Sequence, residues 1–234
     1  MDIDSSAIRG IVFDKDGTLF DFNATWRAWA RDLLHAETEG APERLQPLAD
    51  ALGYDLAQDR FRKDSLVIAA TVSEVVDAAL PHLADTDPAP AIARFNAAAA
   101  RAPQVEATPL IAFLTRLRQA GLKLGVATND AETPARAHLD AARVSALFDF
   151  IAGSDSGFGG KPEVGQLREF CRVTGLRPEH CAMVGDSTHD LHAGRAAGMV
   201  TVAVLTGVAE RADLAPHADV VLDSIADLPG WLGL

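Results

Sequence analysis

Apolar positions along the chain follow two alternating patterns. Ile11-Val12-Phe13 is a wholly apolar run that stops at Asp14-Lys15-Asp16-Gly17, as a buried strand does when it carries polar residues at its carboxyl end. Leu122 to Ala127, ending in Thr128-Asn129-Asp130, and Cys181 to Val184, ending in Gly185-Asp186, repeat the pattern. Fainter strands are expected over Phe148 to Ala152, Val200 to Val204 and Ala218 to Leu222. Between them apolar residues recur at helical spacing: Leu110, Phe113, Leu114 and Leu117 behind Thr108-Pro109, and Val164, Leu167, Phe170 and Cys171 behind Pro162. Strands alternating with helices predict an α/β fold, a Rossmann-like parallel sheet core with helices on both faces. Ligands of such folds bind beyond the carboxyl ends of the strands.

Phe20 to Pro103 reads differently. Trp26, Trp29, Ala30, Leu33 and Leu34 form one helical stripe, prolines at 42, 47, 81, 88 and 90 divide the rest into short helices, and no convincing strand occurs. The expectation is an inserted all-helical domain over residues 20–103, with 1–19 and 104–234 forming the α/β core.

Composition narrows the function classes. The 234 residues include 21 Lys plus Arg against 33 Asp plus Glu, a formal charge of −12. Without clustered basic surface, neither a nucleic acid nor an anionic membrane is an expected partner. The hydrophobic share of 48% is that of a folded protein. Two cysteines, Cys171 and Cys181, no export-signal pattern over Met1 to Gly10 and no run near ~20 apolar residues point to a reducing, cytoplasmic setting.

Chemistry is concentrated at the strand ends. Residues two apart in extended chain face one side, so Asp14 and Asp16 can flank one site. Two carboxylates that close conflict unless a divalent cation neutralises them. Gly17 permits backbone conformations closed to other residues and lets an N–H approach a phosphate. Thr128 offers a hydroxyl, Asn129 a backbone N–H and Lys161 an ammonium, a set suited to phosphoryl oxygens. Asp186 and Asp190, four apart at a strand-to-helix junction, supply the hard oxygens Mg²⁺ prefers. Singly, each has a plainer role as turn former, helix cap or solvated charge; their coincidence at the strand ends of one sheet argues for a site.

Asp14-Lys15-Asp16-Gly17-Thr18-Leu19, Thr128-Asn129, Lys161-Pro162 and Gly185-Asp186-Ser187-Thr188-His189-Asp190 resemble, in order and spacing, the four motifs of the haloacid dehalogenase superfamily. The layout is most similar to phosphoglycolate-phosphatase-like members, and the insert resembles their cap. The resemblance implies a Mg²⁺-dependent phosphatase acting on a small phosphorylated metabolite, with 2-phosphoglycolate as one candidate, through an aspartyl-phosphate. It makes Asp14 the nucleophile and Asp16 the general acid and base. Metal contacts fall to Asp14, Asp16 through its backbone carbonyl, Asp186, and Asp190 directly or from behind. Phosphate contacts fall to Thr128, Asn129, Lys161 and Gly17. The active unit is expected to be a monomer or homodimer.

Asp16 separates the branches. Relatives that expel a halide lack this acid, because halide leaves without a proton. Phosphonatases need a cap lysine, and Lys63 is the only lysine between Phe20 and Pro103. A sugar-phosphate mutase shares the acid pair, yet Asp21-Phe22-Asn23-Ala24-Thr25-Trp26 lacks the His usual there. A non-catalytic phosphate-binding protein would lack a nucleophile, an acid or a metal ligand, and none is missing. Asn23, Trp26, Arg27, Arg62 and Lys63 are the candidates for substrate selection, with Trp26 read more readily as core packing. His189 and His192 are expected to be solvated; Trp29, Phe95 and both cysteines are expected to be structural.

Overall fold

The structure is a computed structural model and describes residues 5–234. The first four residues of the expected core segment lie outside the described residues. In chain order the elements are β1 (Gly10–Phe13), α1 (Phe22–Thr38), α2 (Leu45–Ala51), β2 (Tyr54–Asp55), β3 (Arg60–Phe61), α3 (Val72–Ala79) and α4 (Pro88–Ala99). Then follow α5 (Leu110–Gln119), β4 (Lys123–Ala127), α6 (Glu132–Ala141), β5 (Phe150–Ala152), α7 (Gly165–Thr174) and β6 (Cys181–Gly185). The last are α8 (Thr188–Ala197), β7 (Val200–Val204), α9 (Arg211–Leu214), β8 (Val220–Leu222) and α10 (Leu228–Trp231).

Six strands form one parallel sheet in the order β5-β4-β1-β6-β7-β8. All four residues of β1 are buried, as a strand covered on both faces requires. The chain moves from β1 outward through β4 and β5, then crosses back to β6 on the other side of β1. Strand order therefore reverses between β1 and β6, which opens a crevice beyond their carboxyl ends. Phe13 lies opposite Val184 of β6 and Val126 of β4, and the Asp14 N–H donates to the Val184 carbonyl at 2.8 Å. The residues that follow these three strands are thereby delivered to one level of the sheet.

The helices end where local chemistry stops them. α8 begins with a capping box in which Ser187 and Asp190 satisfy each other's backbone N–H groups, and it closes at Gly198 in the left-handed region, φ 82°. α7 closes the same way at Gly175.

Residues between Phe22 and Ala99 build an apolar cluster of their own, separate from the cluster that runs along the sheet. Its centre is aromatic: Trp26 meets Trp29 edge-on at 5.2 Å, and Trp29 meets Phe95 at 5.8 Å. The segment is helical apart from one antiparallel pair, β2 with β3. That pair escapes the periodicity argument because each strand is two residues long. The turn between them is held by Asp59, whose carboxylate accepts from Arg27, Arg31 and the Tyr54 hydroxyl. No helix among the described residues is long and apolar enough to cross a membrane.

Candidate active site at the carboxyl ends of the strands

Asp14 follows β1, Asp186 follows β6 and Asp190 sits in the first turn of α8; their carboxylate oxygens lie within 4.8 Å of one another, and all three residues are buried. Lys161 reaches them from the loop before α7. Its Nζ is 2.5 Å from Asp14 Oδ1 and 2.6 Å from Asp190 Oδ1. Burial alone would push this ammonium down, but Asp14 and Asp190 outweigh it and hold it above its usual value. One cation cannot balance three carboxylates. Burial, reinforced by Asp190 and Asp16 against the pull of Lys161, raises Asp14 to about 7. Burial and then Asp14 and Asp190 raise Asp186 well above the carboxylate range. Three converging hard oxygens with a surplus of negative charge fit a divalent cation.

Asp190 serves two structures at once. Its Oδ2 accepts from the N–H and hydroxyl of Ser187, which caps α8, while Oδ1 faces Lys161. The capping role and the site role read from the sequence are therefore both present in one side chain.

The Asp16 carboxylate is not part of the three-acid cluster. Its Oδ2 lies 2.6 Å from Lys15 Nζ, while Oδ1 is buried without a hydrogen-bond partner and Asp16 lines the cleft. Lys15, given no role by the sequence patterns, is fully buried. Its ammonium pairs with Asp16 and with Asp130 Oδ2 at 3.2 Å, and it hydrogen-bonds His138 Nδ1 at 3.0 Å. An ammonium cannot accept, so Nδ1 of His138 is the acceptor and Nε2 carries the proton, donating to the Ala99 carbonyl at 2.7 Å. Burial and then the Lys15 charge pull His138 down to about 4, and burial raises Asp130 to about 6. The spacing rule applied to Asp14 and Asp16 also pairs Thr128 with Asp130, and this was the available signal for Asp130.

One expectation changes. The Gly17 N–H donates to the Phe20 carbonyl at 2.7 Å, so it is committed to a turn and not to a phosphate. What Gly17 supplies is shape: its φ is +83°, and an added Cβ would strike the Asp186 carboxylate. Asn129 also makes contacts through its side chain. Its Nδ2 donates to the Ala69 carbonyl at 2.7 Å and the Lys161 carbonyl at 2.8 Å, and its Oδ1 accepts from Lys161 N–H at 2.7 Å. It thus ties the strand end to the lysine loop and to the inserted segment. Thr128 is buried at the cleft, and its hydroxyl accepts from Asp130 N–H at 3.1 Å. Gln166, unmentioned by the sequence patterns, is fully buried and donates to the carbonyls of Thr128 and Gly159.

Of the residues considered for substrate selection, Trp26 lines the cleft; Arg27 pairs with Asp59, Arg62 with Asp50, Lys63 with Glu210, and Asn23 is exposed. His189 lines the cleft instead of standing in solvent, whereas His192 pairs with His217 at 3.2 Å on the surface. The cleft is open to solvent and is lined by residues of both the sheet core and the inserted segment.

A parallel sheet whose switch point gathers these carboxylates and a lysine, under an inserted segment, defines a class, and the chain belongs to it: the sequence model of the haloacid dehalogenase-like hydrolases matches residues 8–198. Among its relatives, the phosphoglycolate phosphatase of Rhodospirillum rubrum is 29% identical, over 96% of this chain and 91% of its own. That of Yersinia pestis is 30% identical, over 97% and 94%. The solved structure of a predicted phosphoglycolate phosphatase from Haemophilus somnus superposes with a TM-score of 0.69 at 20% identity, covering 96% of this chain and 98% of that one, and shares the fold.

Proposed function

We propose that this chain is a metal-dependent phosphatase that hydrolyses the phosphate monoester of a small molecule through an aspartyl-phosphate. The observation that carries the reading is Asp14 in the cleft, paired with the Lys161 ammonium and clustered with Asp186 and Asp190. A carboxylate oxygen of Asp14 forms a bond to phosphorus as the ester P–O bond breaks. Asp16 gives a proton to the departing alkoxide, which leaves as the alcohol. Asp16 then takes a proton from water, whose oxygen bonds to phosphorus as the Asp14–phosphorus bond breaks, releasing inorganic phosphate and regenerating both aspartates. Lys161 and the Thr128 hydroxyl face the charge on the phosphoryl oxygens.

Asp14, Asp186 and Asp190 would hold Mg²⁺, with the Asp16 backbone carbonyl as a further candidate ligand. Bound there, Mg²⁺ supplies electrostatic neutralisation that lets an anionic nucleophile meet an anionic ester. The relatives' names bring 2-phosphoglycolate to the panel of esters.

The test is p-nitrophenyl phosphate hydrolysis with Mg²⁺ and after chelation. Turnover is expected only with the metal, and Asp14→Asn is expected to fold yet show no more than trace turnover. Metal-independent hydrolysis, or substantial hydrolysis by Asp14→Asn, overturns the proposal.

A further inference from the structure

The wall that faces the carboxylates comes from the inserted segment, and it is hydrocarbon: Phe22 of α1, Val72 and Val75 of α3 and Phe95 of α4 are representative. Two polar atoms interrupt it. Trp26 and Asn96 both line this cleft, and Trp26 Nε1 and Asn96 Oδ1 are buried with no hydrogen-bond partner. Trp29 shows the contrast, since its own Nε1 donates to the Phe95 carbonyl at 3.4 Å. An unpaired buried donor or acceptor costs about 1–3 kcal/mol, so such groups call for an explanation. One donor and one acceptor, on two residues of the same wall, stand without a partner.

The lysines of the cleft are already committed to acids. Lys161 lies between Asp14 and Asp190, and Lys15 is paired with Asp16 and Asp130. His189 stands near Glu74, which the Thr71 N–H and hydroxyl, and to a smaller degree His189, hold below its usual value. A second anion beyond the phosphoryl group, such as a carboxylate, would lie against hydrocarbon with no cation committed to it, and burying an unpaired charge is costly.

Resting on the phosphatase reading, we propose that the preferred substrate is the phosphate monoester of an uncharged, mostly hydrocarbon alcohol bearing one further hydroxyl, with Trp26 and Asn96 as the residues that select it. A hydroxyl can accept from the Trp26 N–H and donate to Asn96 Oδ1 with the same oxygen. The hydrocarbon fills the wall around them, and the phosphoryl group meets Lys161 and the aspartates.

The test measures kcat/KM of the full chain with Mg²⁺ for 4-hydroxybutyl phosphate, butyl phosphate and 2-phosphoglycolate, with p-nitrophenyl phosphate as the control. The hydroxyalkyl ester is expected to exceed 2-phosphoglycolate by about tenfold or more, and butyl phosphate by a smaller factor. Trp26→Phe keeps the ring but removes the N–H. In it the hydroxyalkyl-to-alkyl ratio is expected to fall toward one, chiefly through KM. Asn96→Leu supplies the same readout should Trp26→Phe fail to fold. A preference for 2-phosphoglycolate, or turnover of the control alone, overturns this proposal and leaves the phosphatase reading standing. A hydroxyalkyl-to-alkyl ratio unmoved in both variants removes Trp26 and Asn96 from it. No turnover of any ester, the control included, overturns the phosphatase reading itself.

Discussion

Gly207 has nothing in its local sequence to mark it, yet it forms part of the wall behind Asp186. A methyl group added there would occupy the space of the Asp186 carboxylate. Gly207→Ala should therefore displace one of the three clustered acids while leaving the fold intact. The expected outcome is a rise of about tenfold in the Mg²⁺ concentration for half-maximal turnover, the scale on which residues supporting a metal ligand act; a metal titration of activity checks it. Gly17 crowds the same carboxylate from the opposite direction along the chain. Asp14, Asp16 and Asp186 were legible because carboxylates directly after apolar runs stand out. Lys15 was not, because a charged residue at a strand tip normally implies solvent, and its burial depends on Asp130 and His138, which are more than a hundred residues away.

Short elements bring the inserted segment to the cleft. α3 is eight residues long and relies on the capping box at its start, where the Thr71 hydroxyl accepts from Glu74 N–H and Glu74 Oε2 accepts from Thr71 N–H at 2.7 Å. Thr71→Ala is expected to lower stability by about 1 kcal/mol in urea unfolding, and Thr71→Ser to recover most of it. The helices of this segment could be read from their apolar stripes and prolines. The β2–β3 pair could not, since two residues hold no measurable alternation and the pairing is set by Asp59 gathering Arg27, Arg31 and Tyr54.

Across the whole molecule, the core and the inserted segment are joined by a few polar ties: Asn129 to the Ala69 carbonyl, His138 to the Ala99 carbonyl, and Lys63 to Glu210. The last is an exposed pair and contributes little. His138 is buried and neutral, and it sets a pH dependence. Its value of about 4 in the folded chain lies below the 6.5 of an unfolded one, so the unfolded chain takes up the proton first on acidification. Stability from this group is present above pH 6.5 and is lost as pH falls toward 4. Wild type should lose roughly 3 kcal/mol more than His138→Gln over that interval, measured by denaturant unfolding at several pH values.

The order of apolar runs and their polar ends determined by itself that the chain is α/β, where the strands end, and which acids stand at those ends, because strand burial and carboxylate placement are local properties of the chain. Tertiary structure alone decided which groups meet. The crossing from β5 back to β6 sets Asp186 beside Asp14, the loop before α7 carries Lys161 between Asp14 and Asp190, and the folded insert turns Trp26 and Asn96 toward them. Spacing along the chain carries no information on such contacts, since they depend on how separate elements pack against one another.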